Sequence, residues 1–405
     1  MEEIIQHLTP LLDQVTGYIY PNEIELHWGL LVVIYPYLTG LVAGAFILAS
    51  LVKVFNVKEL QPTYRLSLLT ALAFIVIAPL PLLAHLGHPE KSFEIFLTPN
   101  VNSAMAMFGF VYAWYLMAVL LLELWFDFRQ DLVTMANESK GFKRLFYRTI
   151  SLFSKDLSEK AIAFDHKAVR VITIIGIPSA FLLHGYVGFL FGSIKANPWW
   201  SSVLIPIVFL FSAIVSGVAL VILLYMIITP LRNKIVDMVC LDKLASYLFY
   251  IMIVDFSLEI LDFIHRVYES EESIKILASL VQNKLFSSLV IMQVLMGMII
   301  PLFTIAAVKT FKVPSDLRKL LYFISAILVQ VGIFSTRWNV VIGGQLFSKS
   351  FMGLTTYKMT FFGLEGLLVS IGLLVMPFII LWILIKILDP WRSENAALST
   401  PTSGQ

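Results

Sequence analysis

The fold class is decided by Asn22-Glu23-Ile24-Glu25-Leu26-His27-Trp28 and the segment that follows, Tyr35-Pro36-Tyr37-Leu38-Thr39-Gly40-Leu41-Val42-Ala43-Gly44-Ala45. No charged residue occurs from Trp28 to Val52, and this run is long enough to cross a bilayer, which takes about 20 apolar residues. The small residues around Gly40 and Gly44 allow another helix or a flat ligand to approach closely. We therefore predict a transmembrane helix that presents a polar site at one face of the membrane.

The overall composition agrees with a membrane protein. Of the 405 residues, 59% are hydrophobic and 14% are charged, and the mean hydropathy is +0.85, whereas a soluble domain carries about 25% charged residues. A net charge of +2 is too small to suggest a nucleic-acid partner. The single cysteine, Cys240, cannot form an intramolecular disulfide or hold an iron–sulfur cluster. The acidic start, Glu2 and Glu3, is not typical of a signal peptide, so we expect the first helix to remain in the mature protein.

Hydropathy predicts an all-α integral membrane protein with about nine transmembrane helices, within a range of eight to ten. Each predicted span is near the length that a bilayer requires. The spans cover roughly residues 28–53, 66–86, 102–124, 168–192, 201–229, 244–266, 284–308, 318–336 and 361–386.

Lysines and arginines favour one orientation. Alternate connections are rich in them, namely 53–65, 125–170, 232–243 and 309–319, whereas 1–27 has none and the 267–283 loop is acidic. Basic loops stay in the cytoplasm. We therefore predict a multi-pass protein of the cytoplasmic membrane, with its N-terminus outside and its C-terminus inside.

A faint internal repeat suggests how the spans are grouped. Leu38–Ala45 in the first span resembles Phe211–Val218 in the fifth, and each has a small-residue centre, at Gly44 or Gly217. We expect two four-helix bundles related by a pseudo-repeat, plus an extra C-terminal helix. The expected segments are an external lead at 1–27, bundles at 28–192 and 201–336, and an external loop, ninth helix and cytoplasmic tail at 337–405.

The first bundle carries a basic cytoplasmic insertion at 125–167. Its Phe142–Arg148 run mixes basic and bulky apolar residues, which is typical of a helix lying on anionic lipid. We favour that interpretation over a partner-docking site.

Ionisable side chains within lipid are costly and therefore mark candidate functional positions. In the sixth span, Asp255, Glu259, Asp262 and Arg266 recur at helical spacing and share one face. Asp255 and Glu259 are one turn apart in a low-dielectric setting, where two charges are costly, so we assign both to catalysis and proton transfer. Asp262 and Arg266 have two equal interpretations: they belong to the same stripe, or they form a salt-bridged helix end.

Four further charges extend the predicted proton path. Glu123 and Asp127 end the third span, Arg170 begins the fourth, and Glu365 lies just inside the ninth. For Glu123 and Asp127, a solvated helix end is the simpler alternative. For Glu365, the two interpretations are balanced.

Histidines gather on the predicted outer side, at His27, His85, His88, His184 and His265. Imidazole exchanges protons near neutral pH, which suits a quinone site, and it also ligates haem iron. A two-haem cytochrome would usually place histidines at both membrane levels, whereas the inner half of this chain holds only His166. For any one of these histidines, an interfacial hydrogen bond explains its position as well as catalysis does.

Several motifs resemble the polysulfide reductase membrane-subunit (NrfD/PsrC) family. They are Tyr37–Ala45, the turn His85-Leu86-Gly87-His88-Pro89-Glu90-Lys91, Ser212–Leu220 and the run Arg337-Trp338-Asn339-Val340-Val341-Ile342-Gly343-Gly344-Gln345. The turn is the most specific of these motifs, although an arginine is commoner in the family where this chain has His88. The resemblance covers nearly the whole chain, and the last run is similar to the longer members of the DsrP/HybB branch.

This resemblance implies a quinone- or quinol-reactive subunit with menaquinone or another quinone as its substrate and no haem or iron–sulfur cluster of its own. It implies an external ferredoxin-like iron–sulfur partner and other membrane and cytochrome subunits, in a respiratory complex of the sulfite-reduction-associated (Dsr) type. The family's quinone-binding histidine matches His27, its asparagine matches Asn22 or is replaced by Glu25, and its tyrosine matches Tyr186. With His184 and His85 these residues form the candidate quinone site, and no metal site is expected.

Two other functional classes stay open at this point. A b-type cytochrome would use His184, His85 or His265 as haem ligands, and an optical spectrum would reveal it. A secondary transporter would use the mid-membrane acids, although the chain lacks paired Gly/Pro-broken helices in corresponding positions.

The alternation of basic loops gives a direct prediction of topology. A reporter fused after Gln405 should lie in the cytoplasm, and a reporter inserted in the 267–283 loop should lie outside. An external C-terminus would contradict the nine-span arrangement.

Overall fold

The structure, a computed structural model, describes residues 15–98, 100, 102, 115–269 and 273–391. These residues are mostly helical, with one pair of short strands. The regular elements are β1 (Thr16–Tyr18), α1 (Leu30–Lys53), α2 (Gln61–Ile77), α3 (Leu80–His85), α4 (Glu94–Leu97), α5 (Leu121–Glu138), α6 (Gly141–Ile150), α7 (Glu159–Gly192), α8 (Ile205–Leu231), α9 (Met238–Glu269), α10 (Ile274–Leu280), α11 (Ile300–Thr310), α12 (Ser315–Val341), β2 (Met352–Leu354) and α13 (Leu367–Ile387). Two π-helical segments, Tyr115–Leu120 and Val281–Ile299, lead into α5 and join α10 to α11.

Local sequence explains where several helices begin. The hydroxyl of Ser158 caps α7 by accepting a hydrogen bond from the backbone N–H of Ala161 at 3.3 Å. Pro62 and Pro206 stand in the first turns of α2 and α8, where the missing N–H of proline is not needed.

The chain is an all-α integral membrane protein, as predicted. Eight helical stretches of the described residues are long and apolar enough to cross a membrane. They are Leu30–Lys53, Lys58–His85, Glu159–Gly192, Ile205–Leu231, Met238–Glu269, Ile274–Thr310, Ser315–Gln345 and Leu367–Ile387. The third predicted span, 102–124, lies largely outside the described residues.

The boundary predicted for the eighth span is wrong. Helix α12 continues through Arg337 and Asn339 to Val341, whereas the sequence suggested an end at 336. Polar groups within lipid are tolerated where neighbouring helices satisfy them, and both side chains are buried in protein.

Helices α1 and α8 touch through their backbones. A Cβ placed on Gly44 would lie 2.2 Å from the carbonyl oxygen of Ala213, and one placed on Gly217 would lie 2.4 Å from the Cα of Gly44. The small-residue stripe of the first span therefore receives another helix. The two glycines, expected to be equivalent centres of two bundles, contact one another directly.

Contacts between connections define the two ends of the helix assembly. At one end, here called the basic end, Asp127 pairs with Lys53 at 3.0 Å and with Arg65 at 2.9 Å, and Arg318 pairs with Asp242 at 2.6 Å. These residues come from the connections that the sequence grouped as basic. The grouping agrees with the predicted alternation, while the orientation in the cell stays a prediction.

A small cap covers the opposite end. β1 pairs antiparallel with β2, with Gly17 opposite Gly353. Nearby, the hydroxyl of Ser348 donates a hydrogen bond to the carboxylate of Glu23. The segment before α1 is thus fastened to the loop after α12.

The insertion 125–167 is fastened by a buried cation. Arg129, on α5, pairs with Asp165 at 2.6 Å and donates hydrogen bonds to the hydroxyl of Ser154 and the carbonyl of Asp156. Within this segment α6 leaves Phe142 and Leu145 exposed, which favours the predicted helix on a lipid surface.

The backbone contact between α1 and α8 makes a stability prediction. Gly44→Leu and Gly217→Leu should each destabilise the fold by at least the ~1–3 kcal/mol typical of overpacking, because the obstructing atoms are backbone and cannot turn away. Gly372→Leu is the matched control, since its Cβ would meet nothing within 4 Å. The apparent unfolding temperature of the purified protein is the measurement. Equal values for the three variants would contradict the close crossing.

Candidate functional site

Three of the predicted site residues line one pocket. Asn22, Glu25 and His27 face a cavity of about 310 Å³ at the capped end of the helices, here called the His27 pocket. The remaining lining residues are Glu23, Leu26, Trp28, Ala196, Asn197, Trp200, Gly344, Gln345, Phe347 and Lys349. The volume is at the lower limit for a small-molecule site.

Gln345 fixes the start of α1 beside this pocket. Its Oε1 accepts a hydrogen bond from the N–H of Trp28, and its Nε2 donates one to the carbonyl of Trp28, both at 3.0 Å. The same amide also donates to the carbonyl of Val341 at 2.8 Å. His27 is therefore attached to a backbone that the end of α12 holds in place.

Aromatic rings line part of the His27 pocket. The indole of Trp28 stacks on that of Trp200 with ring centroids 5.3 Å apart. Trp200 is positioned by a hydrogen bond from its Nε1 to the carbonyl of Val340 at 2.6 Å, and Asn197 donates to the carbonyl of Gly344 at 2.7 Å. Sequence reasoning missed Trp200 and Asn197, because neither belongs to a charged or histidine-containing motif.

A second pair of predicted residues meets close by. Nδ1 of His85 lies 2.8 Å from Oε1 of Glu365, and the hydroxyl of Tyr357 accepts the N–H of Leu30 at 3.0 Å. Glu365 was expected inside the ninth span, and that placement is wrong: α13 begins at Leu367, and the carboxylate lies in the preceding loop. Its partner His85 is remote in sequence, so no local pattern could have indicated the pair.

His184 does not line the His27 pocket but is buried among helices. Its Nδ1 lies 3.4 Å from the hydroxyl of Thr39, and its Nε2 lies 3.2 Å from Nη2 of Arg337. Since arginine can only donate, Nε2 is the accepting nitrogen and Nδ1 carries the proton. Both nitrogens are thus engaged by protein groups, which argues against His184 as a haem ligand.

The predicted tyrosine is also separate. Tyr186 is half-buried and packs beside Phe189, with ring centroids 5.8 Å apart. It is not among the residues that line the His27 pocket. A single ring in that pocket would therefore not contact both His27 and Tyr186 in this conformation.

Arg337 is the most completely buried cation of the described residues. Its Nη2 donates to the hydroxyl of Ser212 at 2.7 Å, and its guanidinium lies 4.1 Å from the ring centroid of Phe209. Its charge also interacts with Asp255 and Glu259. Arg337 thereby links the histidine of α7 to the acids of α9.

The two acids of the sixth span lie on α9, where they interact with the charge of Arg337 without a direct ion pair among the described residues. Glu259 accepts a hydrogen bond from Nε2 of Gln293 at 2.9 Å, and Gln293 accepts one from Asn339 at 2.7 Å. Among the described residues, one carboxylate oxygen each of Asp255 and Glu259 is buried without a hydrogen-bond partner. Buried polar groups usually have partners, so these oxygens are available to exchange protons with water or a ligand.

Asp262 and Arg266 form a salt bridge one turn apart, as one of the two interpretations predicted. Ser202 donates to Asp262, and Arg266 donates to the carbonyl of Trp199. The pair therefore ties α9 to the connection between α7 and α8.

The predicted inner acids differ from one another. Asp127 is enclosed by Lys53, Arg65 and the hydroxyl of Tyr64, which is the environment of a structural ion pair. Glu123 is fully buried and accepts a hydrogen bond from Thr173 at 2.9 Å. Among the described residues, the second carboxylate oxygen of Glu123 is buried without a hydrogen-bond partner, and its role in proton transfer stays a prediction.

The inner and mid-membrane parts of the predicted proton path are not joined directly. Within the ranges that the structure describes, no hydrogen bond or ion pair connects Glu123 with Asp255 or Glu259. Arg170 is exposed on α7. A continuous path would therefore need water between these groups.

Comparison with known proteins identifies the family of this chain. A family model described as "Polysulphide reductase, NrfD" matches residues 21–349. The chain belongs to the NrfD family. The matched region of this NrfD-family chain contains the His27 pocket, His184, Arg337 and the acids of α9, and the resemblance seen in the sequence motifs is confirmed.

Relatives of this NrfD-family chain include two subunits of reductases by name. A selenate reductase subunit of Mesobacillus selenatarsenatis is 32% identical over 322 residues, which are 78% of this chain and 73% of that protein. A putative dimethyl sulfoxide reductase membrane subunit of Halobacterium salinarum is 26% identical over 200 residues, 48% of this chain and 41% of that protein. Protein NrfD of Escherichia coli K12 is 26% identical over 198 residues, 48% of this chain and 58% of that protein.

The arrangement around Arg337 makes a testable prediction. Arg337→Gln should destabilise the protein, because the acids of α9 lose a buried opposite charge. Adding Asp255→Asn to that variant should recover part of the loss, with a coupling of about 0.5–3 kcal/mol between the two changes. Thermal unfolding of the two single variants and the double variant measures this coupling. Arg170→Gln, at an exposed position, is the control and should change stability little. Strict additivity of the two changes would show that Arg337 and Asp255 do not interact.

Proposed function

We propose that this chain is the quinone-reactive membrane subunit of a respiratory reductase complex. In this role it exchanges electrons between a membrane quinol and a ferredoxin-like iron–sulfur protein docked on the outer face. Family membership supports a role in such a complex, as do the reductase names of the relatives. Other membrane and cytochrome subunits would complete the assembly.

The observation that carries the proposal is the His27 pocket. An imidazole, an amide and a carboxylate, from His27, Asn22 and Glu25, converge on one cavity above two stacked indoles. A quinone ring needs an apolar flat surface and a group that donates a hydrogen bond to its oxygen. Trp28 and Trp200 supply the first, and His27 supplies the second.

The chemistry assigned to His27 follows from the balance of the reaction. Oxidation of a quinol to a quinone releases two electrons and two protons. His27 accepts one of the two protons from a quinol hydroxyl, and water at the adjacent aqueous face accepts the other. His27 then releases its proton to the same face, because imidazole takes up and releases protons near neutral pH. The electrons leave to the docked iron–sulfur protein, and His27 acts on the proton alone.

The buried acids suggest a second task. Asp255 and Glu259, with Arg337 and His184 beside them, form a set of ionisable groups near the middle of the membrane. We assign this set to proton movement, with Glu123 as the inner member and the pair of His85 and Glu365 as an outer one. Turnover at the His27 pocket would then move charge across the bilayer.

The finer assignment to a Dsr-type complex rests on the run from Arg337 to Gln345. In the structure this run forms the end of α12 and supplies Gln345 to the His27 pocket. The relatives carry selenate and dimethyl sulfoxide reductase names. We propose that the chain is a subunit of a reductase of this general kind. Our specific hypothesis is a sulfite-reduction-associated complex, and identification of the partner subunits would test it.

Substitution of His27 tests the proposed function. His27→Ala should reduce quinol-dependent electron transfer by roughly 10²–10⁴-fold, the usual effect of losing a positioned acid–base group. His27→Gln keeps a hydrogen-bond donor but cannot carry the proton, so it should restore quinone binding better than turnover. The measurement is quinol oxidation by the assembled complex.

The control for this experiment is another histidine at the capped end of the helices. His88 is exposed and pairs with Glu90 at 3.0 Å, so His88→Ala should leave the rate close to that of the wild type. Assembly of each variant is checked by co-purification with the partner subunits. Wild-type turnover in an assembled His27→Ala complex would remove His27 from the site.

A further inference from the structure

A large crevice lies on one side of the last helix. Helix α13 packs mainly against α2 and less extensively against α1 and α3. Between α13 on one side and α8 and α12 on the other, a cavity of about 1110 Å³ remains. It reaches from Trp338 near the capped end to Arg232 and Lys386 at the basic end.

The walls of this crevice are apolar over most of its length. Leucine, isoleucine, valine, methionine and phenylalanine side chains from five helices and the second π-helical segment form them. They include Leu41 on α1, Phe74 on α2, Leu224 on α8, Met292 in the π-helical segment, Val331 on α12 and Leu374 on α13. An occupant must therefore be a hydrocarbon along this length.

Four polar side chains inside the crevice already have partners. The hydroxyl of Tyr37 donates to Gln330 at 2.7 Å, and Gln330 donates to the carbonyl of Ser216 at 2.7 Å. Ser335 and Ser288 are hydrogen-bonded within the protein as well. A polar head deep in the crevice would have to break these bonds, which disfavours a ligand whose ring lies at this depth.

The charges lie at the basic end of the crevice. Arg232 is half-buried and pairs with Asp389 at 3.0 Å. The ammonium of Lys386 is exposed and lies 3.4 Å from the ring centroid of Trp382. Tryptophan is enriched at membrane interfaces, so two cations and an indole mark the level of lipid headgroups.

We propose that this crevice holds one anionic phospholipid, with its acyl chains between α13 and the helices α8 and α12 and its phosphate beside Arg232 and Lys386. A gap between helices within a bilayer is filled by lipid chains, and cations at one end select a negatively charged headgroup. The lipid completes the packing of α13, which the described residues leave open on this side. The inference does not depend on the proposed quinone site.

Native mass spectrometry of the purified protein tests this assignment. After delipidation, the protein is titrated with phosphatidylglycerol, phosphatidylcholine and menaquinone in separate samples. Phosphatidylglycerol should be retained and should raise the apparent unfolding temperature, whereas phosphatidylcholine of the same chain length should bind more weakly. In the double variant Arg232→Gln/Lys386→Gln, retention of phosphatidylglycerol should fall roughly five- to thirty-fold, the effect of two interfacial cations.

Two further variants distinguish the contribution of the two cations from that of the crevice volume. Lys140→Gln removes an exposed cation that lies between α5 and α6, away from the crevice, and should leave retention unchanged. Leu374→Trp keeps both cations but fills part of the crevice, so it should also reduce retention of phosphatidylglycerol. Equal binding of the two phospholipids by the wild type would overturn the proposal. So would retention of menaquinone in place of phospholipid, or unchanged retention in the double variant.

Discussion

The contact between Gly44 and Gly217 is the constraint on which the other features depend. It lets α1 and α8 meet at backbone distance, and α8 in turn packs against α7, α9 and α12. Only with α8 seated this deeply do Ser212 and Phe209 stand where Arg337 can bind them. Helix packing thus places a buried cation next to groups that can exchange protons.

The end of α12 serves two regions of the protein at once. Arg337 points into the membrane-embedded network, and Gln345, a few residues later, holds the backbone of Trp28 by two hydrogen bonds. The carbonyl groups between them position Trp199 and Trp200. One short run of residues contacts both the His27 pocket and the buried charges. A shift of α12 would therefore change the geometry of both sites.

Local sequence patterns predicted much of this arrangement, and long-range contacts account for the rest. Hydropathy placed the spans because the bilayer acts on each helix separately, and Asn22, Glu25 and His27 share a pocket because only a few residues separate them. Asn197, Trp200 and Gln345 come from distant loops, so no local pattern could assemble them. Arg337 was placed just beyond the predicted eighth span, since a sequence does not show that Ser212 and His184 lie within hydrogen-bonding distance of its guanidinium.

Photolabelling with a quinone analogue in the assembled complex shows directly whether the His27 pocket binds quinone. A photoreactive naphthoquinone, competed by excess menaquinone, would be mapped on the chain by mass spectrometry. Competed labelling is expected within residues 22–28 and 196–200, the two segments that contribute most of the lining of the His27 pocket. Competed labelling confined to the crevice beside α13, or to the lipid-facing side of α9, with none at 22–28, would contradict it.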